Sequence, residues 1–290
     1  MDADPFHAGE QELQRLFAVR DQLAGSRTIQ ASLPPGFAAF LEELHYVVLA
    51  VPDRKGRIWV TLVSGRPGFL SAPNGLQMRV DALPDPADPV APGIVEGAPI
   101  AVLAIDLATR RRIRINGRVG SVSSGDFVVD VRQAFGNCPQ YIRPRDVEKT
   151  TITTGATVRT VVDTRAAQRV VADADTFFVA TRSSSAAGGD MDVSHRGGPA
   201  GFVRWDSDCL LWPEYRGNFY FNTLGNLLVD PACGLLFPDF TSGELLLLTG
   251  QAVLEGFDGR LRRSHDGIPM NGFVRFRPDV LMSRAALLRP

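Results

Sequence analysis

Lysine is almost missing from this chain, which has Lys55 and Lys149 and otherwise relies on arginine among its 31 basic residues. With its abundant Ala, Gly and Pro the sequence has the look of GC-rich bacterial coding, and a single Arg is weak grounds for a site. Cysteine is scarce as well. Cys138, Cys209 and Cys233 are odd in number and widely spaced, with no Cys-x-x-Cys pair, which excludes a disulfide framework and a zinc site and leaves buried free thiols as the expectation. An excess of one charge is also lacking: 31 basic against 32 acidic residues give a net charge of −1, which argues against nucleic acid or another polyanion as partner. No apolar run approaches the roughly 18 residues that would span a bilayer. The opening "MDADPFHAGEQELQ" is acidic and polar where a signal peptide is basic and then apolar, so a cytoplasmic protein with no membrane partner is expected.

What is present is β-rich. A chain of 290 residues is near the length at which one core divides, so two domains of roughly 100 to 150 residues are expected. Leu13, Leu16, Phe17, Val19 and Leu23 predict an amphipathic helix, and Phe37, Phe40, Leu41 and Leu44 a short one entered through Pro34 and Pro35. "YVVLAVPDRKGRIWVTLVSG" is two β-branched runs around the turn Asp53 to Gly56, a hairpin. Short strands follow in "PIAVLAIDLATRRRIRINGRVGSV" and "GDFVVDVRQAF", the pattern of a barrel or sandwich. The Ala-rich stretch Asp163 to Asp175 predicts a helix at the junction of two domains, with a strand, "TFFVATRS", beyond it.

An internal repeat organises the rest. "VTLVSGRPGF" (Val60 to Phe69) resembles "VSHRGGPAGF" (Val193 to Phe202), and "VLAIDLATRRRIRING" (Val102 to Gly117) lies over "LLFPDFTSGELLLLTG" (Leu235 to Gly250). Both blocks are 133 residues apart. A duplicated β unit explains one offset in two places better than chance likeness of β-rich segments.

Two constellations stand out in the second copy. Ser194, His195 and Arg196 precede a Gly-Gly-Pro turn that lets another group approach the backbone, although a hairpin with polar residues facing water gives the same pattern. Arg216, Gly217 and Asn218 are followed by Asn222 and Asn226, so three Asn step by four and would share one face of a helix. A Gly beside an Arg at a helix start suits a phosphate, whereas Asn there is also an ordinary cap. Three Asn and one Arg exceed what capping requires, and ligand binding is the preferred reading. His45 reads as a core-edge residue, His265 as part of a polar turn, Trp59 and Trp212 as packing, and Arg110 to Arg112 as a solvated strand edge. No Ser-His-Asp or Cys-His arrangement has supporting context.

The order of "FFVAT", "DVSHRGGPAGF", "WPEYRGNFYFNTLGNLLVDP", "GLLFPDF" and "LLLLTGQA" resembles the FMN-binding split barrels of the pyridoxamine 5′-phosphate oxidase-like superfamily, and more closely its tandem flavin-nucleotide-binding branch. "GRIWVTLVSGRPGF", "TRRRIRINGR" and "FGNCPQYIRPR" in the first half are similar to that branch too, with Gln140 where its signature has Lys. The resemblance runs from about Phe6 to Leu254. It implies a mainly β fold with peripheral helices, two fused split barrels forming a pseudo-dimer: residues 1–160 with the N-terminal helices and a degenerate site, and 161–290 with a linker helix and the FMN-binding barrel.

It also implies a site at the contact between barrels. Ser194, His195 and Arg196 would line the flavin ring, and a donor from His195 or Arg196 would stabilise negative charge on the reduced ring. The segment from Glu214 to Asn226 would hold ribityl and phosphate, with Arg216 and Asn218 on the phosphate and Asn222 and Asn226 on phosphate or hydroxyls. Arg112, Arg114, Asn137, Gln140 and Tyr141 of the other barrel would close the site. The tail "GFVRFRPDVLMSRAALLRP" does not match the segment whose basic residues grip the substrate phosphate in true pyridoxamine phosphate oxidases, which argues against the vitamin B6 reaction. The expected function is an FMN-dependent oxidoreductase acting on a small molecule, as a monomer or a homodimer. The alternatives are a non-catalytic flavin-sequestering or stress-related protein, and a split barrel that binds haem or a deazaflavin. Shifted by 133, Arg216, Asn218, Asn222 and Asn226 fall on Leu83, Asp85, Pro89 and Gly93, and His195 and Arg196 on Leu62 and Val63. The expectation is therefore one FMN per chain.

Overall fold

The β-branched runs either side of Asp53 to Gly56 pair as the turn chemistry dictates. In a computed structural model, which describes residues 4–23, 28–146, 158–160, 164–183 and 189–285, strand β1 (Tyr46–Pro52) pairs antiparallel with β2 (Ile58–Ser64) in the register Pro52 with Ile58. The Asp53 carboxylate accepts from the N–H groups of Lys55 and Arg57 at 2.8 and 3.0 Å, and Gly56 takes the left-handed φ of 78° that the turn needs. Both strands are buried on both faces, which is why their apolar runs show no alternation.

Ahead of the hairpin lie α1 (Ala8–Leu16), α2 (Arg20–Leu23) and α3 (Pro35–Glu43). The single N-terminal helix predicted from Leu13 to Leu23 is thus two, divided at Ala18, whose φ is 54°. After it come β3 (Leu70–Ser71), β4 (Gln77–Val80), β5 (Pro99–Asp106), β6 (Arg111–Val122) and β7 (Phe127–Gly136). The second half holds β8 (Val158–Thr160), α4 (Thr164–Asp173), β9 (Thr176–Arg182), β10 (Met191–Gly197), β11 (Arg204–Asp206), β12 (Cys209–Tyr215), α5 (Asn222–Val229), β13 (Ala232–Pro238), β14 (Glu244–Glu255), β15 (Arg262–Arg263) and β16 (Pro269–Ala285).

The strands form two antiparallel sheets of one topology. The first runs β2-β1-β5-β6-β7-β4-β3 and the second β10-β9-β13-β14-β16-β12-β11, with β8 and β15 added on β16. The mainly β fold with peripheral helices and a tandem arrangement is what the sequence predicts. The offset of 133 holds even in a turn. Between β5 and β6 the Asp106 carboxylate accepts from the Ala108 N–H and the Thr109 hydroxyl, and Arg110 has φ 60°. Between β13 and β14 Asp239 does the same for Thr241 and Ser242, and Gly243 has φ 78°.

The two sheets share one core. Phe178, Ala180, Val193, Leu236 and Leu247 of the second sheet pack in the same cluster as Val48, Trp59 and Leu103 of the first. A second cluster gathers Val171 of α4, Phe177, Trp212 and Phe276, and takes in Leu13 of α1. Halves that share a core position each other's residues rigidly, because such packing is bistable at most and does not deform continuously. The division expected at 160/161 borders residues 161–163, which lie outside the described ones, and β8 on its near side pairs with β16 of the second sheet. No helix among the described residues is long and apolar enough to cross a membrane. The three thiols are free as expected, but only Cys233 is buried: Cys209 is half-buried and Cys138 exposed, since Cys138 follows the end of β7 on a loop.

Candidate functional site

Period-2 alternation puts Asp192, Ser194 and Arg196 of β10 on one face, opposite Arg112 and Arg114 of β6 in the other half. Between them lies a cleft, floored by β10 and the end of β12, walled by the loop after β7 and by the start of α5. Gly197 lets the halves meet there, because a Cβ on it would stand 2.0 Å from the carbonyl oxygen of Tyr141.

Charge in the cleft is unbalanced. Arg114 reaches Asp192 at 3.1 Å, and Arg196 holds Glu214 in a two-pronged pair with both contacts at 2.9 Å. The Ser194 hydroxyl accepts from both guanidinium groups at 2.6 Å. Arg112 makes no ion pair among the described residues and donates to the carbonyl of Cys138 at 2.7 Å. Burial, and then the repulsion of Arg114 and Arg196, push its pKa down to about 9. A cation in that position favours an anion brought in from outside.

Buried polar atoms point the same way. Both ring nitrogens of His195, both amide atoms of Asn137, the Nε atoms of Arg112 and Arg114 and Oδ1 of Asn271 have no hydrogen-bond partner. Such atoms cost about 1–3 kcal/mol each when left bare, so this many in one cleft mark a place that bound water or a ligand completes. His195 is 3% exposed, and burial first, then Arg112, Arg196 and Arg114, hold its pKa well below the ordinary value, so it is a neutral imidazole with one donor and one acceptor at pH 7.

The backbone around the cleft is strained. Tyr141, Phe219 and Phe221 have φ of 66°, 60° and 62°, and all three line the cleft. A left-handed conformation without glycine costs on the order of 1–3 kcal/mol and clusters at functional sites. Phe221 is the N-cap of α5 and offers no side-chain cap, so the first-turn N–H groups beside the cleft are free for an anion.

No family model matches this chain, and no curated protein matches it. Solved structures do. They include the HupZ protein of Group A Streptococcus (14% identity, TM-score 0.30, covering 41% of this chain and 92% of that one). A candidate pyridoxamine 5′-phosphate oxidase from Corynebacterium glutamicum has 14% identity and a TM-score of 0.29, covering 44% and 97%. A FAD-binding protein from Mesorhizobium loti has 11% identity and a TM-score of 0.31, covering 44% and 98%. Each covers less than half of this chain.

Of the residues singled out in the sequence, Arg112, Arg114, Asn137, Gln140, Tyr141, Ser194, His195, Arg196, Glu214, Asn218 and Asn222 all line the cleft. Two stand apart. Arg216 is exposed, with its guanidinium over the Phe219 ring at 5.3 Å. Asn226 faces the opposite side of α5, where its Oδ1 meets His7 Nε2 at 2.8 Å. The predicted row of three Asn is reduced to Asn222 and Asn226, because the helix begins at Asn222 and Asn218 precedes it in irregular chain. Asp192 and Thr223, which hydrogen-bond at 3.2 Å, were not singled out; the two-residue spacing of Asp192 from Ser194 carried the signal. Trp212 is buried packing as expected, and Arg110 and Arg111 are exposed as a strand edge should be, whereas Arg112 is half-buried and lines the cleft.

Proposed function

We propose that the cleft binds FMN and that the protein is an FMN-dependent oxidoreductase acting on a small molecule. The carrying observation is the unpaired Arg112 set among buried polar atoms that have no partner. FMN fits this chemistry: its phosphate suits the uncapped first turn of α5 with Asn218 and Asn222, and its ring edge offers the acceptors and donors that Arg112, Asn137 and neutral His195 lack. Bound flavin supplies the two-electron chemistry. Arg112, Arg114 and Arg196 place positive charge where negative charge accumulates on reduction. Tyr141, Phe202 and Phe219 give the cleft aromatic walls. The resemblance of the sequence to FMN-binding split barrels supports the reading, and the C-terminal segment, which does not match that of true pyridoxamine phosphate oxidases, argues against the vitamin B6 reaction.

The purified protein should be yellow and release FMN. Mass spectrometry that finds FAD, haem or no cofactor after reconstitution refutes the FMN assignment. Photoreduction followed by reoxidation with candidate acceptors tests the reaction: bound FMN that accepts electrons from no donor and passes them to no acceptor would favour flavin sequestration instead.

A further inference from the structure

A second cavity lies on the far side of α5 from the cleft. The N-terminal segment from Asp4 to Glu10 roofs it, Asn116 of β6 and Gln133 of β7 form one wall, and Asp190, Asp192, Asn222 and Asn226 form the other. Asp4, Glu10, Asp190 and Asp192 line it, and no Lys or Arg does among the described residues.

Three of these carboxylates are already matched. Asp4 pairs with Arg20, Asp190 with Arg118 at 3.1 Å and Asp192 with Arg114 at 3.1 Å. Glu10 is not. It is 3% exposed and accepts from the side-chain amide of Asn222 at 2.5 Å and from the His7 N–H at 2.8 Å, and its ion-pair contact is the His7 ring at 3.6 Å. Burial lowers the pKa of that ring, so it carries no charge at pH 7. Asn116, also 3% exposed, leaves Oδ1 without a partner while its Nδ2 reaches Gln133 at 3.3 Å. The cavity thus has an unmatched carboxyl group and a bare amide oxygen, and its surplus is of acceptors.

We propose that this cavity binds a small ligand through a primary ammonium group, held by Glu10 and the Asn116 carbonyl oxygen. An ammonium has three donors and no acceptor, which complements an acceptor-rich wall, and its charge replaces the cation that Glu10 lacks. The site shares Asn222 with the cleft but does not rest on the flavin reading. Glu10 faces His7 and Asp4 from its own segment, Asn222 and Asn226 from α5, Asp190 just before β10 and Asp192 in it, and Arg114 from β6. Its pKa is raised to about 8, by burial most and by Asp192 further, against the opposing hydrogen bonds of His7 and Asn222 and the charge of Arg114. An arriving cation favours its ionised form, so binding at pH 7 releases a proton and tightens as pH rises through 8.

Methylammonium is the probe, since its amine stays protonated at pH 9 as lysine's does, with a pKa of about 10.4. Saturation-transfer NMR on the full chain should show transfer to methylammonium that strengthens from pH 6 to pH 9, and none to tetramethylammonium, which has the charge without the donors. Glu10→Gln should weaken binding by about tenfold, the loss of one charge-assisted contact, and abolish its pH dependence. Asn116→Leu should weaken it as well. Equal transfer to both cations, or both variants binding like the wild type, overturns the proposal. Calorimetry on the unaltered protein in two buffers of different protonation enthalpy gives an independent check, and binding at pH 7 without proton release overturns it too.

Discussion

The halves meet in two places built from equivalent strands, and the contents of the two are opposite. At the cleft, β10 presents Ser194, His195 and Arg196 with bare polar atoms and an unpaired Arg112. At the other contact, β2 presents Thr61, Leu62 and Val63, 133 residues earlier. There Asp88 accepts from the Thr61 hydroxyl and from Arg284 Nη1, both at 2.5 Å, while Arg284 Nη2 donates to the Leu62 carbonyl at 3.0 Å. Asp88 and Arg284 are 1% and 3% exposed. The same scaffold is thus left open on one side and closed by its own ion pair on the other. Duplication frees one copy of a site to become structure, and the closing cation comes from the last strand.

The largest effect is expected at the closed contact. Asp88→Ala or Arg284→Met leaves one charge buried alone and should destabilise the protein by about 3–5 kcal/mol in urea titration, whereas Asp88→Leu with Arg284→Met should recover most of that loss. Flavin content should stay at one per chain in all of them. A second flavin bound in the opened contact would break the comparison, and a loss below about 1 kcal/mol would class the pair with surface ion pairs.

At the open cleft, Arg112→Ala should weaken flavin binding by about 1.5–3 kcal/mol, the range for a hydrogen bond to a charged group. Arg216→Ala should cost less, because that side chain is exposed and rests on Phe219; a titration with the reverse order would place the flavin's charge outside the cleft. Gly225→Ala tests the wall behind it. A Cβ there would stand 2.5 Å from the Glu10 nitrogen, an overpacking worth roughly 1–3 kcal/mol of stability.

The smallest effect is a pH dependence. His195 titrates below its unfolded pKa of 6.5, so the unfolded chain binds the proton first and stability falls as pH drops below about 6.5. His195→Gln should flatten that limb of the stability-against-pH curve relative to wild type. Leu62, in the equivalent place at the closed contact, contributes no such limb. Identical acid limbs in variant and wild type would mean that His195 is charged in the folded protein.

What the sequence disclosed was local or periodic. The Asp53 to Gly56 turn, the 133-residue offset and the alternating polar residues of β10 are all written in neighbouring letters, and the cleft residues of β6 and the "NCPQY" loop followed from family resemblance. Residues that act across the chain were not legible. Arg284 meets Asp88 at a separation of 196 residues, and Glu10 meets Asn222 at 212, distances at which neither charge pattern nor spacing carries a signal. The left-handed Tyr141, Phe219 and Phe221 were equally silent, because no glycine marks them. His7 and Glu10 did carry a local sign, since they form a capping box, but a cap alone does not tell that the same carboxyl group is held by a helix of the other half.

The contact between α1 and α5 fixes an order of events during synthesis. Gly9 and Gly225 are so close that a Cβ on Gly9 would lie 2.2 Å from the Gly225 carbonyl oxygen. Some two hundred residues must therefore leave the ribosome before the first helix finds its seat. At roughly 5–20 residues per second that is a wait of about 10–40 s. Throughout it Leu13 waits for the second core, whose other buried members all lie at Ala167 or beyond. Contacts of such sequence separation also slow folding after release. α1 is thus made long before it is buried, and the second cavity cannot exist until α5 has been made.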